Sequence, residues 1–215
     1  MPFKLYSSAF LVALTCVGGG ASATTLFSDD FDGNNRRNVP NWTELEAANN
    51  DVRRRDNAAQ LQDNRPTAPD AALARLAIST FGFKDITVSF DWQALPNNEA
   101  NDLLYFAWDA GTAPALTDIG AWTTVAGAGP FGNATANAPF VTETLSLGPQ
   151  AANTTINLLF YTDVSPNNGG NTEGFNIDNV IVSGTPQAVP LPAGFGLLVA
   201  GLGALGIASR RKIVS

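Results

Sequence analysis

The sequence predicts an all-β fold, an antiparallel β-sandwich, flanked by two apolar ends that stand outside it. Three observations carry that expectation. Apolar residues in the body recur with period two, and clusters of Gly, Pro and Asn interrupt them at short intervals. The two ends, by contrast, are nearly free of charge over long stretches.

The first element, residues 1–23, reads as a secretory signal peptide. Lys4 is its one charge, Ala9 to Val17 is apolar, and Gly18-Gly19-Gly20 breaks the helix. Ala21 and Ala23 then place small side chains at the two positions that signal peptidase admits. Cys16 would be removed with the leader. The preceding Ala13-Leu14-Thr15 is a poor lipidation box, because large residues stand where small ones are favoured.

The body, residues 24–186, is long enough for one sizeable core. In Asp85 to Gln93, Ile86, Val88, Phe90 and Trp92 share one face, while Thr87, Ser89, Asp91 and Gln93 share the other. That is the alternation of a strand packed on one side only. Similar runs cover Leu73–Thr80, Asp102–Asp109, Ala121–Ala126, Val141–Leu147, Thr154–Thr162 and Gly174–Ser183. Asn49 to Asp70 alternates poorly and reads as a long loop with one short edge strand. Its Arg53-Arg54-Arg55 triplet reads as a solvated face paired with Asp51 and Asp56, and as an anion site only if the charges converge.

The last element, residues 187–215, has three parts: Val189-Pro190-Leu191-Pro192-Ala193, an uncharged run from Gly194 to Ala208, and Arg210-Arg211-Lys212. As a helix the fifteen-residue run spans ~22 Å, and Ser209 with snorkelling basic side chains extends it toward the ~30 Å hydrocarbon core. Arg210, Arg211 and Lys212 would hold this end in the cytoplasm, leaving the body outside the inner membrane. The order of motif, helix and basic cluster resembles the PEP-CTERM sorting domain in its VPLPA variant. That resemblance covers about the last 27 residues. It implies an exosortase as partner, with Val189 to Ala193 as the sorting motif, and export to the surface or exopolysaccharide matrix of a Gram-negative bacterium. A plain tail anchor is the physical alternative.

Composition excludes several activities. The chain has no histidine and one cysteine, so no Ser-His-Asp or Cys-His triad and no His-ligated metal can form. Residues 24–186 hold eight basic and all 19 acidic residues, a net charge of −11, so nucleic acid is not an expected partner. From Asp85 to Pro186 there are ten acids and no base. A glycosidase needs two facing carboxylates. Glutamate is scarce after Ala100, only Glu143 and Glu173, and the closely spaced acidic strand of sandwich glycosidases is missing. No enzyme is expected.

Phe27 to Gly33 and Phe175 to Val182 bracket the body and resemble the first and last strands of carbohydrate-binding jelly rolls and galactose-binding-like sandwiches. The resemblance implies a jelly-roll-like sandwich whose terminal strands lie side by side. It also implies a structural Ca²⁺ near them, with Asp30, Asp32 and Asp178 as candidate ligands, all hard oxygen donors. Of the four tryptophans, Trp92 and Trp108 share faces with core residues. Trp42 and Trp122 lie near strand starts and admit either a core position or a sugar-stacking role. The function expected is therefore structural or adhesive within exopolysaccharide, with a carbohydrate-binding module as the alternative.

Overall fold

The computed structural model describes residues 22–46, 51–62, 71–96, 98–125, 129–132, 138–164 and 173–188. The sorting motif Val189 to Ala193, the helix 194–209, the basic end Arg210 to Lys212 and Ala21 lie outside the described residues. Ala23 is exposed, one residue before the first strand. Among the described residues no helix is long and apolar enough to cross a membrane.

Among the described residues eleven strands form two antiparallel sheets. They are β1 (Thr24–Asp29), β2 (Thr43–Glu46), β3 (Val52–Arg55), β4 (Ala58–Gln62), β5 (Ala71–Ser79), β6 (Phe83–Ala94), β7 (Leu103–Ala110), β8 (Thr123–Thr124), β9 (Val141–Ser146), β10 (Thr155–Asp163) and β11 (Gly174–Pro186). Sheet A runs β3-β4-β11-β6-β9, with β1 also paired to β11, and sheet B runs β2-β5-β10-β7-β8. The chain crosses between sheets repeatedly, so most neighbours in a sheet are distant in sequence. The terminal strands do lie side by side: Thr24 opposes Gly184 and Asp29 opposes Val180.

The period-two faces meet between the sheets. Ile86, Val88 and Phe90 of β6 and Phe175, Ile177 and Val182 of β11 are fully buried against Leu104, Phe106, Leu158 and Phe160 of sheet B. At the centre, Phe90 lies 5.5 Å from Phe106 and 4.9 Å from Phe160, ring centroid to centroid, stacked on the first and edge-on to the second. Each such pair contributes about 1 kcal/mol beyond its buried area.

Two expectations are corrected. Residues 49–70 contain a hairpin rather than a loop with one edge strand: β3 pairs β4, with Arg55 opposite Ala58. Asp56 and Asn57 between them both take positive φ, 54° and 61°, the requirement of a two-residue type I′ turn. β4 is buried along its whole length, because it lies between β3 and β11. The strand expected over 121–126 shrinks to Thr123–Thr124. Ile119–Ala121 forms a 3₁₀ turn that delivers Trp122 onto the outer face of sheet B.

The β4–β11 approach depends on Gly174. Its φ is +133°, and a Cβ there would lie 2.1 Å from the carbonyl oxygen of Leu61. Gly174→Ala is therefore expected to destabilise the fold by roughly 3 kcal/mol or more. Gly148→Ala, at φ +77° in open space, should cost only about 1 kcal/mol. Chemical denaturation of both variants checks the contrast.

Candidate functional site

Of the acidic residues singled out in the terminal strands, Asp178 lies where β11 changes neighbour. Along Gly174 to Ile177 it pairs with β4, and along Val180 to Gly184 with β1. Between these lies a bulge at Asp178 and Asn179, with Asn179 at φ 49°. Asp178 is placed directly opposite Asp91 of β6, a like-charge pair. Asn179 holds both carboxylates with one side-chain amide, its Nδ2 donating to Asp91 Oδ2 at 2.8 Å and to Asp178 Oδ2 at 3.3 Å. Its backbone N–H donates to Asp178 Oδ1 at 2.7 Å, and Thr142 Oγ1 donates to Asp91 Oδ1.

Burial raises the pKa of Asp178 above its ordinary value. The Asn179 N–H works against this, while Asp91, Asp32 and Asp30 push it further up. The structure thus gathers Asp30, Asp32 and Asp178 in one electrostatic neighbourhood and adds Asp91, which sequence reasoning missed. Asp30 Oδ1 accepts the N–H of Asp32 at 3.2 Å, a local turn. Among the described residues no three carboxylates converge as a metal-ligating group.

Of the two positions open to Trp42 and Trp122 the structure shows the core one, at 9% and 4% exposure, and Trp92 and Trp108 are buried as expected. Trp42 packs against Phe27, Phe31 and Phe160, and its Nε1–H donates to Asp29 Oδ2 at 2.9 Å. The same Asp29 accepts the N–H of Phe31 through Oδ1, which fixes the turn carrying Trp42's neighbour. Trp122 covers Ala72, Ala74, Ala107 and Leu159 on the outer face of sheet B, assisted by Leu116 and Ile119. Its Nε1–H donates to the Ala115 carbonyl at 3.1 Å. Neither indole offers a stacking surface. The accessible aromatic pair is Tyr105 and Tyr161, half-buried and stacked at 4.7 Å on the outer face of sheet B.

The outer face of sheet A has a different character. Side chains that alternate away from the core form one hydrogen-bonded row across four strands. Arg53 Nε donates to Gln60 Oε1 at 2.7 Å, and Gln60 Nε2 to Asn176 Oδ1 at 3.1 Å. Asn176 Nδ2 donates to Gln93 Oε1 at 3.1 Å, and Gln93 Nε2 to the Ala138 carbonyl at 2.7 Å. Three strand-to-strand steps give this row a length of about 14 Å. It floors a cleft of about 250 Å³ lined by Gln62, Leu95, Pro96, Arg55 and Asp56 as well as the amides. Each amide spends one N–H and one lone pair on the row; Gln93 and Asn176, half-buried, keep one donor and one acceptor for a ligand, while Gln60 is buried beneath them.

No family model and no curated protein sequence matches the chain. Among solved structures it is similar to the K3 adhesin domain of Lys-gingipain from Porphyromonas gingivalis W83, at 14% identity and a TM-score of 0.42, covering 75% of this chain and 99% of that one. A CBM4 structure is 20% identical with a TM-score of 0.43, covering 74% of this chain and 97% of the other. A xylan-binding CBM22 domain is 14% identical with a TM-score of 0.40, covering 80% and 99%.

The Asp91–Asp178 pair gives a stability test. Because the folded-state pKa of Asp178 is raised, the folded protein takes up its proton before the unfolded chain does. Stability from this group therefore increases as pH falls through the raised value toward the ordinary one near 3.8. Asp178→Asn keeps one acceptor, for the Asn179 backbone N–H, gives up the weaker 3.3 Å bond from Asn179 Nδ2, and removes the repulsion. In chelator at pH 7 it should stabilise the fold by about 0.5 kcal/mol, an advantage that vanishes near pH 4 in thermal melts.

Proposed function

We propose that residues 24–186 are a non-catalytic glycan-binding domain of an exported bacterial surface or matrix protein, adhesive within exopolysaccharide, and that the outer face of sheet A is the binding surface. The amide row from Arg53 to Ala138 supports this most strongly. Sugar hydroxyls donate and accept at once, and a line of half-satisfied amides on a rigid sheet offers matching donors and acceptors at fixed spacing. The outer face of sheet B is less suited, because the segment 111–122 and Trp122 already cover much of it. Without an aromatic platform, affinity rests on hydrogen bonding, which suits weak contacts multiplied along a polymer.

On this reading the signal peptide exports the body, and the C-terminal helix holds it at the inner membrane until an exosortase acts at Val189 to Ala193. Support for sorting is the tripartite motif itself. A structural Ca²⁺ near the terminal strands, with Asp30, Asp32 and Asp178 as ligands, would have to draw these carboxylates together, since they do not converge here, and would relieve the repulsion on Asp178. On that account Ca²⁺ raises the Tm of the wild type and not that of Asp178→Asn, and a Tm indifferent to chelator removes the ion from the account.

Affinity electrophoresis through the producing organism's exopolysaccharide tests the binding surface. Retardation of the wild-type chain, lost by ~10-fold in apparent affinity in Gln93→Ala/Asn176→Ala, is the expected outcome. Equal retardation of wild type and variant would move the site elsewhere. For sorting, mass spectrometry of the mature protein should find a C-terminus within or near the motif. Recovery of an intact Arg210-Arg211-Lys212 end would reduce the tail to an anchor.

A further inference from the structure

The amide row does not stop at Gln60. Its first member, Arg53, belongs to a second concavity of about 330 Å³, lined by Asn35, Arg36, Arg37, Arg53, Arg54 and Arg55. Two separate stretches of sequence build it. The loop before β2 is tied to the edge strand β3 by paired backbone hydrogen bonds between Arg36 and Arg54, at 2.9 and 3.0 Å. Arg54 is fixed by donating Nε and Nη2 to the Asn34 carbonyl, at 3.1 and 2.8 Å, and Nη1 to the Asp32 carbonyl at 3.1 Å. Gly33 packs so closely on this guanidinium that a Cβ would lie 3.0 Å from Nη2. Asn35 Oδ1 accepts the N–H of Asp56, which holds the same loop to the β3–β4 turn.

Arg55 pairs with Asp56 as expected of a solvated face, while beside that pair five arginines line one concavity. Among the described residues, the one ion pair formed by these arginines is Arg55 with its neighbour Asp56, at 3.4 Å and well exposed. Burial, followed by the Arg55 charge, lowers the pKa of Arg53, with Asp56 acting in the opposite sense. Arg53 and Arg55, on the same face of β3, repel one another, which costs stability. A body with 19 acidic residues has ample means to neutralise them, yet four of the five have no carboxylate partner among the described residues. An anionic ligand would supply the missing charge.

We propose that this basin is an anion subsite for the carboxylates of an acidic polysaccharide whose chain continues along the amide row. The inference rests on the glycan-binding reading of sheet A and names its ligand class: a polymer carrying hydroxyl and carboxylate groups together, such as a uronate polymer. Forked guanidinium groups pair with carboxylates bidentately, while the amides next to them take hydroxyls. Nucleic acid fits less well. A duplex needs phosphate contacts over an extended basic surface, and the ten acids without a base from Asp85 to Pro186 repel it beyond the basin.

The test uses the full chain with polygalacturonate, its fully methyl-esterified form and duplex DNA, by isothermal titration at two salt concentrations. Polygalacturonate should bind at least ~10-fold more tightly than the ester, and that margin should shrink between 50 and 500 mM NaCl. Arg36→Gln/Arg37→Gln, which leaves the amide row and the cleft untouched, should abolish the margin without altering ester binding or Tm. Equal binding of acid and ester with the cleft still functional overturns the anion subsite alone. A margin that survives Arg36→Gln/Arg37→Gln places the anion site elsewhere and also overturns it. Binding of neither polymer removes the glycan reading and this inference with it. DNA binding as tight as polygalacturonate would make the basin an unselective polyanion patch and contradict the proposal.

Discussion

Strand β11 is the element on which the rest of the structure depends, because it must serve two partners along one edge. Its first four residues complete a ladder with β4, and its later residues complete one with β1, while β6 runs along the other edge. The change of neighbour coincides with a bulge at Asp178 and Asn179 in the ladder with β6 on the other edge, and the positive φ of Asn179 is accessible to Asn with little strain. Asn179 then offsets what the bulge creates, by holding Asp91 and Asp178 with one amide. The same strand aims Phe175 and Ile177 into the core and Asn176 onto the outer face, so fold closure and the amide row share one backbone.

The two outer faces diverge for a physical reason. Sheet B presents Ala72, Ala74, Ala107 and Leu159 outward, an apolar patch that would be costly to expose, and the segment ending at Trp122 covers it. Sheet A presents Thr87, Ser89, Asp91, Gln93 and Asn176 outward, which water or a polar ligand can satisfy without a cover. Rigidity comes from the aromatic cluster of Phe90, Phe106, Phe160 and Phe131 directly beneath β6. A polar site on such a support loses little conformational entropy when it binds.

Strands with one apolar face were legible from the sequence. β5, β6, β7, β9, β10 and β11 fall in the expected runs; β6 and β11 show the period of two that burial on one side writes, whereas β5 and β10 are in part buried on both faces. β3 and β4 were not legible. β3 is an edge strand of three consecutive arginines, and β4 is buried on both sides, so neither alternates, although Asp56-Asn57 was a turn signal that went unused. Trp42 and Trp122 stayed open between core and surface in the sequence, because their burial depends on loops folding back rather than on strand period. The amide row was invisible because its members come from four strands; Gln60 and Asn176 touch across 116 residues of chain. Asp91 was read correctly as outward-facing, but its partner across the ladder could be found only from the register.

The central claim is that ligand meets the outer face of sheet A, from the arginine basin through the amides. Side-chain NMR tests it directly, by following Asn and Gln amide and Arg Nε resonances during titration with polygalacturonate. The account expects shifts at Gln93, Asn176, Arg53 and Arg54, with Tyr105, Tyr161 and the Trp122 indole unmoved. Shifts confined to the two tyrosines and the segment 111–122 would contradict it and place recognition on sheet B.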